Sequence, residues 1–483
     1  MAYSRNVFLI LGVLCLGLSA VAALHALVSS FLLRDGVAAG FTACFIVSGF
    51  TGGLFTALGS GARPALGFRA AVSLTLGAWV GLPLLASLPF MAGPAGLDFT
   101  DAVFESVSGF TTTGSTVIVG LEGLAPTLLF WRALLQWIGG IGIIGLSIAI
   151  LPLLRSGGMQ LFRLESSDRS PERLIARPGH LAAVIAGLYL LLTSLCALCY
   201  SLAGMTGFEA LTHAMTTVST GGYSISDGSM GAFSPGAQWV AVVFMLSGAI
   251  PFLAYVRAVS RFEGRRPGGY EEAYGLAAIA AIFSLLLYLA GSTAPIDEPG
   301  AFRHAVFNTV SVLTTTGYAA GDYQLWGPLA MVAVFALTFV GGCAGSTSGG
   351  FKIFRIQIMV KSIWAALQRA PSSHAVIVTR HAGKPLSNDD IASVALFAGL
   401  YVASFALGSV ALAAFGLDFI TAITGSATAI ANVGPGLGAM IGPAGNFTEV
   451  PQAAKWVLCL LMLLGRLEIV TALYVLTPRF WRP

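Results

Sequence analysis

The chain has 483 residues, of which 56% are hydrophobic and 10% charged, and its net charge is +4. A soluble domain carries about 25% charged residues, so this chain cannot cover a water-facing surface, and most of it must face lipid. The basic residues are spread over many segments, which is not the footprint of a nucleic-acid-binding protein.

Ten apolar runs have the length of about 20 residues that crosses a bilayer as a helix. They lie near 6–30, 37–60, 71–91, 126–154, 180–204, 236–258, 271–291, 325–360 (interrupted), 391–415 and 452–477. The first begins after Arg5, continues too long for a signal peptide and lacks a small-residue cleavage site, so it reads as a retained helix. With the N-terminus inside, the cytoplasmic segments collect most of the basic residues, among them Arg63, Arg69, Arg155, Arg163, Arg169, Arg173, Arg177, Arg257, Arg261, Arg265, Arg266, Lys352, Arg355, Lys361, Arg369, Arg380, Lys384, Arg479 and Arg482. The outer segments keep Arg34, Arg303, Lys455 and, by position, Arg132. This positive-inside bias places both termini in the cytoplasm of a multi-pass protein. The outer face carries Asp98, Asp101, Glu105, Glu122, Asp227, Asp297, Glu298, Asp322, Asp418 and Glu449, an acidic mouth that would concentrate cations.

Between the runs, four segments repeat one another: 98–115, 206–223, 301–318 and 418–435. Aligned on Gly114, Gly222, Gly317 and Gly434, they have Ala twelve residues earlier (Ala102, Ala210, Ala305, Ala422) and Ser or Thr six earlier (Ser108, Thr216, Ser311, Thr428). Two earlier stand Thr112, Thr220, Thr315 and Asn432. Such a repeat decides architecture before any other feature. Each segment holds roughly 12 helical residues, about 18 Å at 1.5 Å per residue, too short to cross. A re-entrant half-helix fits, and irregular backbone at that depth is tolerated only around a cavity or inside protein.

The expected fold is therefore an all-α polytopic membrane protein with ten transmembrane helices and four re-entrant loops around one pore. Residues 1–70 form a two-helix extension. The pore repeats span 71–177, 178–268, 269–390 and 391–483.

The tips combine Thr hydroxyls with glycines that permit unusual backbone angles. Rings of such carbonyls can replace a cation's hydration shell. The expected ion-binding residues are Thr112, Thr113 and Gly114; Thr220, Gly221 and Gly222; Thr315, Thr316 and Gly317; and Asn432, Val433 and Gly434. The six cysteines lie in apolar runs, and the C-x-x-C at Cys196 and Cys199 has no second pair, so no structural metal or cofactor is expected. No enzyme motif stands out, and the chain reads as a non-enzyme.

With the tips, the run 341–355 (GGCAGSTSGGFKIFR) and 465–469 (GRLEI), the chain resembles Trk-type potassium uptake proteins of the Trk/Ktr/HKT superfamily, closest to the bacterial TrkH branch. The resemblance covers nearly the whole length. It implies four M1–pore loop–M2 units, K⁺ as the transported ion, a homodimer in the bacterial inner membrane, and a cytosolic, TrkA-like ring of nucleotide-binding regulatory subunits. It makes the four tip glycines the selectivity filter. Ser at the first of them goes with sodium transport in the plant branch, so Gly114 favours potassium.

The eighth run is broken by Gly341, Gly342, Gly345, Ser346, Thr347, Ser348, Gly349 and Gly350. Such glycine density costs a helix about 1 kcal/mol per residue, and in the family this segment is the gate. Arg466 lies half-way along the last run, where a charge must face an interior, a cavity or a partner. Two readings stay open for it: an interhelix ion pair, or a positive barrier in the pore below the filter. His213 and His304 read as structural or surface residues. A Na⁺-permeable member, a Na⁺- or H⁺-coupled symporter, and a secondary transporter of another class remain as rivals. The last expects repeats of opposite topology, whereas all four tips lie outside.

Overall fold

The computed structural model describes residues 2–61, 67–149, 178–259, 270–292, 300–371 and 377–481. Arg63, Arg155, Arg163, Arg169, Arg173, Arg177, Arg261, Arg265, Arg266, Asp297, Glu298 and Arg482 lie outside these residues. The chain is mainly helical. The helices are α1 (Ala2–Leu27), α2 (Ala38–Leu58), α3 (Phe68–Ala86), α4 (Phe99–Phe110), α5 (Pro126–Ala149), α6 (Pro178–Leu202), α7 (Gly207–Val218), α8 (Pro235–Ala249), α9 (Phe252–Val259) and α10 (Tyr270–Ser292). They continue with α11 (Ala301–Leu313), α12 (Pro328–Thr338), α13 (Ile353–Arg369), α14 (Asn388–Ala414), α15 (Phe419–Ala431), α16 (Gln452–Arg466) and α17 (Ile469–Tyr474), leaving aside a few single turns.

Among the described residues, seven helical stretches are long and apolar enough to cross a membrane, and they match seven of the ten apolar runs. The other three runs are broken. The interruption expected at 325–360 separates α12 from α13. Two further breaks were not legible as such. Between α8 and α9, Pro251 holds Ile250 extended at φ −84°, ψ 148°, because a residue before proline is driven out of the helical region. Between α16 and α17, Glu468 turns the chain at φ 64°.

The four short helices α4, α7, α11 and α15 are the repeated segments, and they form the protein's interior. From Ala102 to Phe110 every residue of α4 is buried, and from Thr424 to Ala431 every residue of α15. The long helices instead turn large apolar side chains outward, such as Phe50, Ile282, Leu407 and Val410. This arrangement suits a lipid surround and explains the low charge. The innermost long helix is α5: 61% of its apolar window is buried, against 22–39% for the other six spans.

The short helices begin where the sequence supplies a cap. Asp98 accepts the Asp101 N–H, Thr206 forms a reciprocal capping box with Glu209, and Asp418 accepts the N–H groups of Ile420 and Thr421. In α11 the cap is Gly300, at φ 90°. Between α13 and α14 sits a small hairpin, Arg380–His381 paired antiparallel with Lys384–Pro385. Its two-residue turn, Ala382 and Gly383, has positive φ at both positions, as tight hairpins require.

Candidate functional site

All four short helices end in the same way. The N–H of the residue before each tip glycine donates to the carbonyl of the Ser/Thr column: Thr113 to Ser108 (2.9 Å), Gly221 to Thr216 (2.8 Å), Thr316 to Ser311 (2.8 Å) and Val433 to Thr428 (3.0 Å). One residue earlier, the N–H groups of Thr112, Thr220, Thr315 and Asn432 donate to the carbonyls of Gly109, Thr217, Val312 and Ala429. These paired bonds form the Schellman cap, whose central residue is left-handed and usually glycine. Here it is threonine or asparagine at φ 52°, 52°, 56° and 56°. Each such residue costs on the order of 1–3 kcal/mol, and strain of this kind persists only where the surroundings over-determine it. The repeated column two residues before the glycine is thus a column of strained backbone.

The tips then meet in a closed ring. Gly114, Gly222, Gly317 and Gly434 all have positive φ, from 77° to 112°. A side chain on Gly114 would overlap the carbonyl oxygen of Gly221, one on Gly222 that of Thr316, and one on Gly317 that of Val433. A Cβ on Gly434 would lie 2.8 Å from the carbonyl oxygen of Thr113, which returns to the first tip. Each glycine therefore abuts the carbonyl just before the next glycine around the ring. All four glycines line one cavity of about 200 Å³.

The ring is not four-fold identical. Thr111 and Thr113 share a hydroxyl hydrogen bond of 2.7 Å, and Thr314 and Thr316 one of 2.8 Å. The second and fourth tips have Gly221 and Val433 at the corresponding place and cannot form it. In the fourth tip, the Asn432 amide bonds the Thr113 hydroxyl (3.0 Å) and the Met462 carbonyl (2.9 Å).

A column nine residues before each glycine braces the ring from behind. Glu105 accepts the Val117 N–H at 3.0 Å, His213 Nε2 lies 3.1 Å from the Ser224 hydroxyl, and Asn308 accepts the Ala320 N–H at 3.2 Å. The fourth repeat has Gly425 in this column, and Thr424 takes over, accepting the Leu437 N–H at 3.0 Å. His213 is thus a buried structural residue. Glu105 is wholly buried and bonded to Arg132 at 2.8 Å, so it is not a free carboxylate of an acidic outer mouth, contrary to expectation. Asp101 is likewise paired, with Lys455. One turn along α5 from Arg132, Gln136 donates to the Gly221 carbonyl (2.6 Å) and accepts the Tyr223 N–H (3.0 Å). The same alignment on the glycines contained this column, because Glu, His and Asn are out of place in otherwise apolar short helices. Arg132 and Gln136 were visible as an i, i+4 polar pair in an apolar run.

The loop 341–352 lies against the inner side of the ring. Thr347 Oγ1 is 3.3 Å from Thr220 Oγ1, the Gly349 N–H donates to Thr315 Oγ1 at 2.7 Å, and the Ser348 hydroxyl donates to the Thr314 carbonyl at 2.7 Å. A Cβ on Gly349 would lie 3.0 Å from that of Asn432. The loop so touches the strained column of three tips. It is also wedged into the α8–α9 break, where Cys343 and Thr347 donate to Ala249 and Gly248, and Phe252 donates to Gly345. Ser346, Thr347 and Ser348 are buried, and Gly341, Gly345 and Gly350 have positive φ. Gly341 packs against Gly349 and Gly350, and Gly342 against Ser348.

Near this loop, Arg355 Nη2 donates to both carboxylate oxygens of Glu468 (2.8 and 2.7 Å), and the guanidinium stacks on Phe397. Arg466 is 3% exposed, and none of its three guanidinium nitrogens has a hydrogen-bond partner among the described residues. Of the two readings of Arg466, the ion pair therefore lacks a partner.

A family model described as a cation transport protein, TrkH, matches residues 37–293 and 275–479. The chain belongs to the TrkH family. This is a family of membrane transporters, not of enzymes. A Trk system potassium uptake protein TrkI of Halomonas elongata is 47% identical over 416 residues, 85% of this chain and 83% of that protein. A Trk system potassium uptake protein TrkH of Vibrio parahaemolyticus is 37% identical over 99% of both chains. The crystal structure of the potassium transporter TrkH from Vibrio parahaemolyticus superposes with a TM-score of 0.89, at 35% identity over 99% of both chains.

Proposed function

We propose that this chain takes up K⁺ across the bacterial inner membrane through the ring of four tips, as the selectivity filter of a four-unit pore. The units are residues 71–177, 178–268, 269–390 and 391–483, with 1–70 as an extension. The observation that carries the reading is the closed ring in which each glycine abuts the next tip's carbonyl oxygen. Carbonyl oxygens held at fixed spacing can stand in for a cation's hydration shell. The C-terminal ends of four short helices direct partial negative charge to the same place. Potassium is the ion named for the relatives that match over most of the chain.

The loop 341–350 is the gate in this reading, since it rests on three tips from one side and is built of residues that a helix rejects. Arg466, buried without a partner, faces the path and opposes cations there. Both termini are cytoplasmic. The protein is a homodimer whose gate answers to a cytosolic nucleotide-binding subunit docked on the basic inner loops.

Purified protein in proteoliposomes, under imposed K⁺ or Na⁺ gradients at fixed pH, tests the reading. K⁺ and Rb⁺ uptake well above Na⁺ is expected. Equal uptake of K⁺ and Na⁺ would overturn the selectivity, and uptake that requires a Na⁺ or H⁺ gradient would make the protein a symporter.

A further inference from the structure

The four braces behind the ring differ in chemistry, and one of them carries charge. In repeats two to four a neutral group holds the returning strand of its own tip. In repeat one, Glu105 does so directly and is itself bonded to Arg132, whose guanidinium extends the brace into the next repeat. Arg132 Nε donates to Glu105 (2.8 Å), Nη2 to the Thr116 hydroxyl (3.2 Å), and Nη1 to the Ser224 carbonyl of the second tip (2.9 Å). Its plane stands 4.1 Å from the Tyr223 ring centre. The Tyr223 hydroxyl returns to the first repeat, donating to the carbonyls of Glu105 (2.8 Å) and Ser115 (3.2 Å). Gln136, one turn away, holds Gly221 and Tyr223 on either side of Gly222.

We infer that Arg132, with Gln136 beside it, is a positioning residue that sets the separation of the first and second tips and thereby the ring's preference among cations by size. Arg132 lines the same cavity as the four tip glycines, and its guanidinium is taken up by protein partners. It acts through Ser224, Tyr223 and Glu105, whose backbone atoms flank the ring. Five donors in a planar fork suit a hub of this kind, and lysine cannot reproduce it. A guanidinium that is 1% exposed and a carboxylate that is fully buried hold each other in place, because each alone would be an unpaired buried charge. Ion discrimination demands placement to a fraction of an ångström, which requires locked supporting side chains. The helix that carries the hub, α5, is itself the most buried of the spans and is tied at its start by Asp35, which accepts from the Thr127 N–H at 3.3 Å.

This inference rests on the filter reading above. Three variants test it in proteoliposomes: Arg132→Lys, which keeps the buried charge but loses the fork; the neutral pair Glu105→Gln with Arg132→Gln; and Gln136→Met. The measured quantity is the K⁺/Na⁺ and K⁺/Rb⁺ uptake ratio of folded protein, which a loss of stability alone would not move. The expected result is a fall in the K⁺/Na⁺ ratio of about tenfold in Arg132→Lys and severalfold in Gln136→Met. If the neutral pair does not fold, the other two still give the answer. Folded Arg132→Lys and Gln136→Met proteins with the unmodified protein's ratios would overturn the inference. An unmodified protein with no preference for K⁺ would instead overturn the filter reading.

Discussion

The four tips and the loop 341–350 are both irregular backbone buried inside a helical protein, and they are held by opposite means. Each tip has supports close to it in the chain, to which bonds between repeats are added: the Schellman cap, the strained residue two before the glycine and a brace nine before it, or ten before it in the fourth tip. The loop has none of these local supports. Its hydrogen bonds go mostly to residues far along the chain: Gly248, Ala249 and Thr220 of the second repeat, and Thr314, Thr315 and Glu272 of its own. Backbone fixed by local bonds keeps its shape when its neighbours shift, whereas backbone fixed mainly by distant partners can leave most of them at once. In the proposed reading, that difference suits constancy in the tips and movement in the loop.

The largest expected effect comes from breaking the tips. In Gly114→Ser the new side chain overlaps the Gly221 carbonyl oxygen, and serine must adopt φ 86°. Strain on the order of 1–3 kcal/mol, if borne by the ring, corresponds to a loss of K⁺/Na⁺ discrimination of about 5- to 150-fold. Ion-competition uptake measures it, and an unaltered ratio would show that Gly114 does not shape the ring.

Shortening the loop should act on flux and leave selectivity alone. Removal of Ser346–Ser348 deletes the bonds to Thr220 and to the Thr314 carbonyl. At about 1 kcal/mol net per hydrogen bond, basal K⁺ uptake should rise about tenfold with an unchanged K⁺/Na⁺ ratio. A folded deletion protein with ordinary basal uptake would place the gate elsewhere.

Arg466→Ala probes the same inner side by charge. A unit charge several ångströms from the path opposes a cation on the kcal/mol scale even at an effective dielectric of about 20, so conductance should rise severalfold. Unchanged conductance in a folded variant would mean that the guanidinium lies off the path.

A sharper test of local against distant support uses one column. Thr112 Oγ1 has no partner among the described residues, while Thr315 Oγ1 accepts the Gly349 N–H. Glycine tolerates the left-handed angle that both threonines hold. Thr112→Gly should therefore loosen the loop no further and raise basal uptake less than Thr315→Gly, with stability altered by about 1 kcal/mol or less. Thr315→Gly should raise basal uptake about fivefold, the equivalent of one lost hydrogen bond. Equal behaviour of the two would deny that the loop is held through this column.

Much of this was legible in the sequence, for a physical reason. Periodic constraints leave columns, and the alignment on the four glycines located the short helices, the strained position and the Ser/Thr whose carbonyl closes each cap. The Thr/Asn column carried no sign of its left-handed backbone, because threonine is a poor residue for that conformation. The partners of Glu105 and Arg132 were hidden because the pair joins residues 27 apart on two helices, and an exposed and a buried acid look alike in a string. The α16–α17 break was hidden because Glu468 is turned by its ion pair with Arg355, 113 residues away. The interrupted span at 341–350 was legible since glycine density opposes helix locally, but the tips it rests on were not.

The smallest expected effect lies at the small hairpin, which is linked to the loop through α10 and not to the tips. Glu272 on α10 accepts the Ala344 N–H of the loop at 2.7 Å. Beside it, Glu271 pairs with Lys361 (2.7 Å) and lies 3.7 Å from Nδ1 of His381 on the hairpin. Burial holds the His381 imidazole below its ordinary pKa, and Lys361 adds to this, while Glu272 and Glu271 oppose it without reversing it. The docked hairpin thus favours the neutral ring, and the undocked one binds the proton first. Docking is therefore at full strength above the ordinary imidazole value of about 6.5. It weakens as the pH falls from there toward the depressed value. Amides of residues 377–387 should exchange faster at pH 5.5 than at pH 7.5, after correction for intrinsic rates, and His381→Gln should remove the difference. If the loop depends on distant support, basal uptake should rise slightly over the same interval while the K⁺/Na⁺ ratio stays constant. A ratio that moved with His381 would mean that the tips, too, answer to the hairpin, and the division between fixed ring and movable loop would fail.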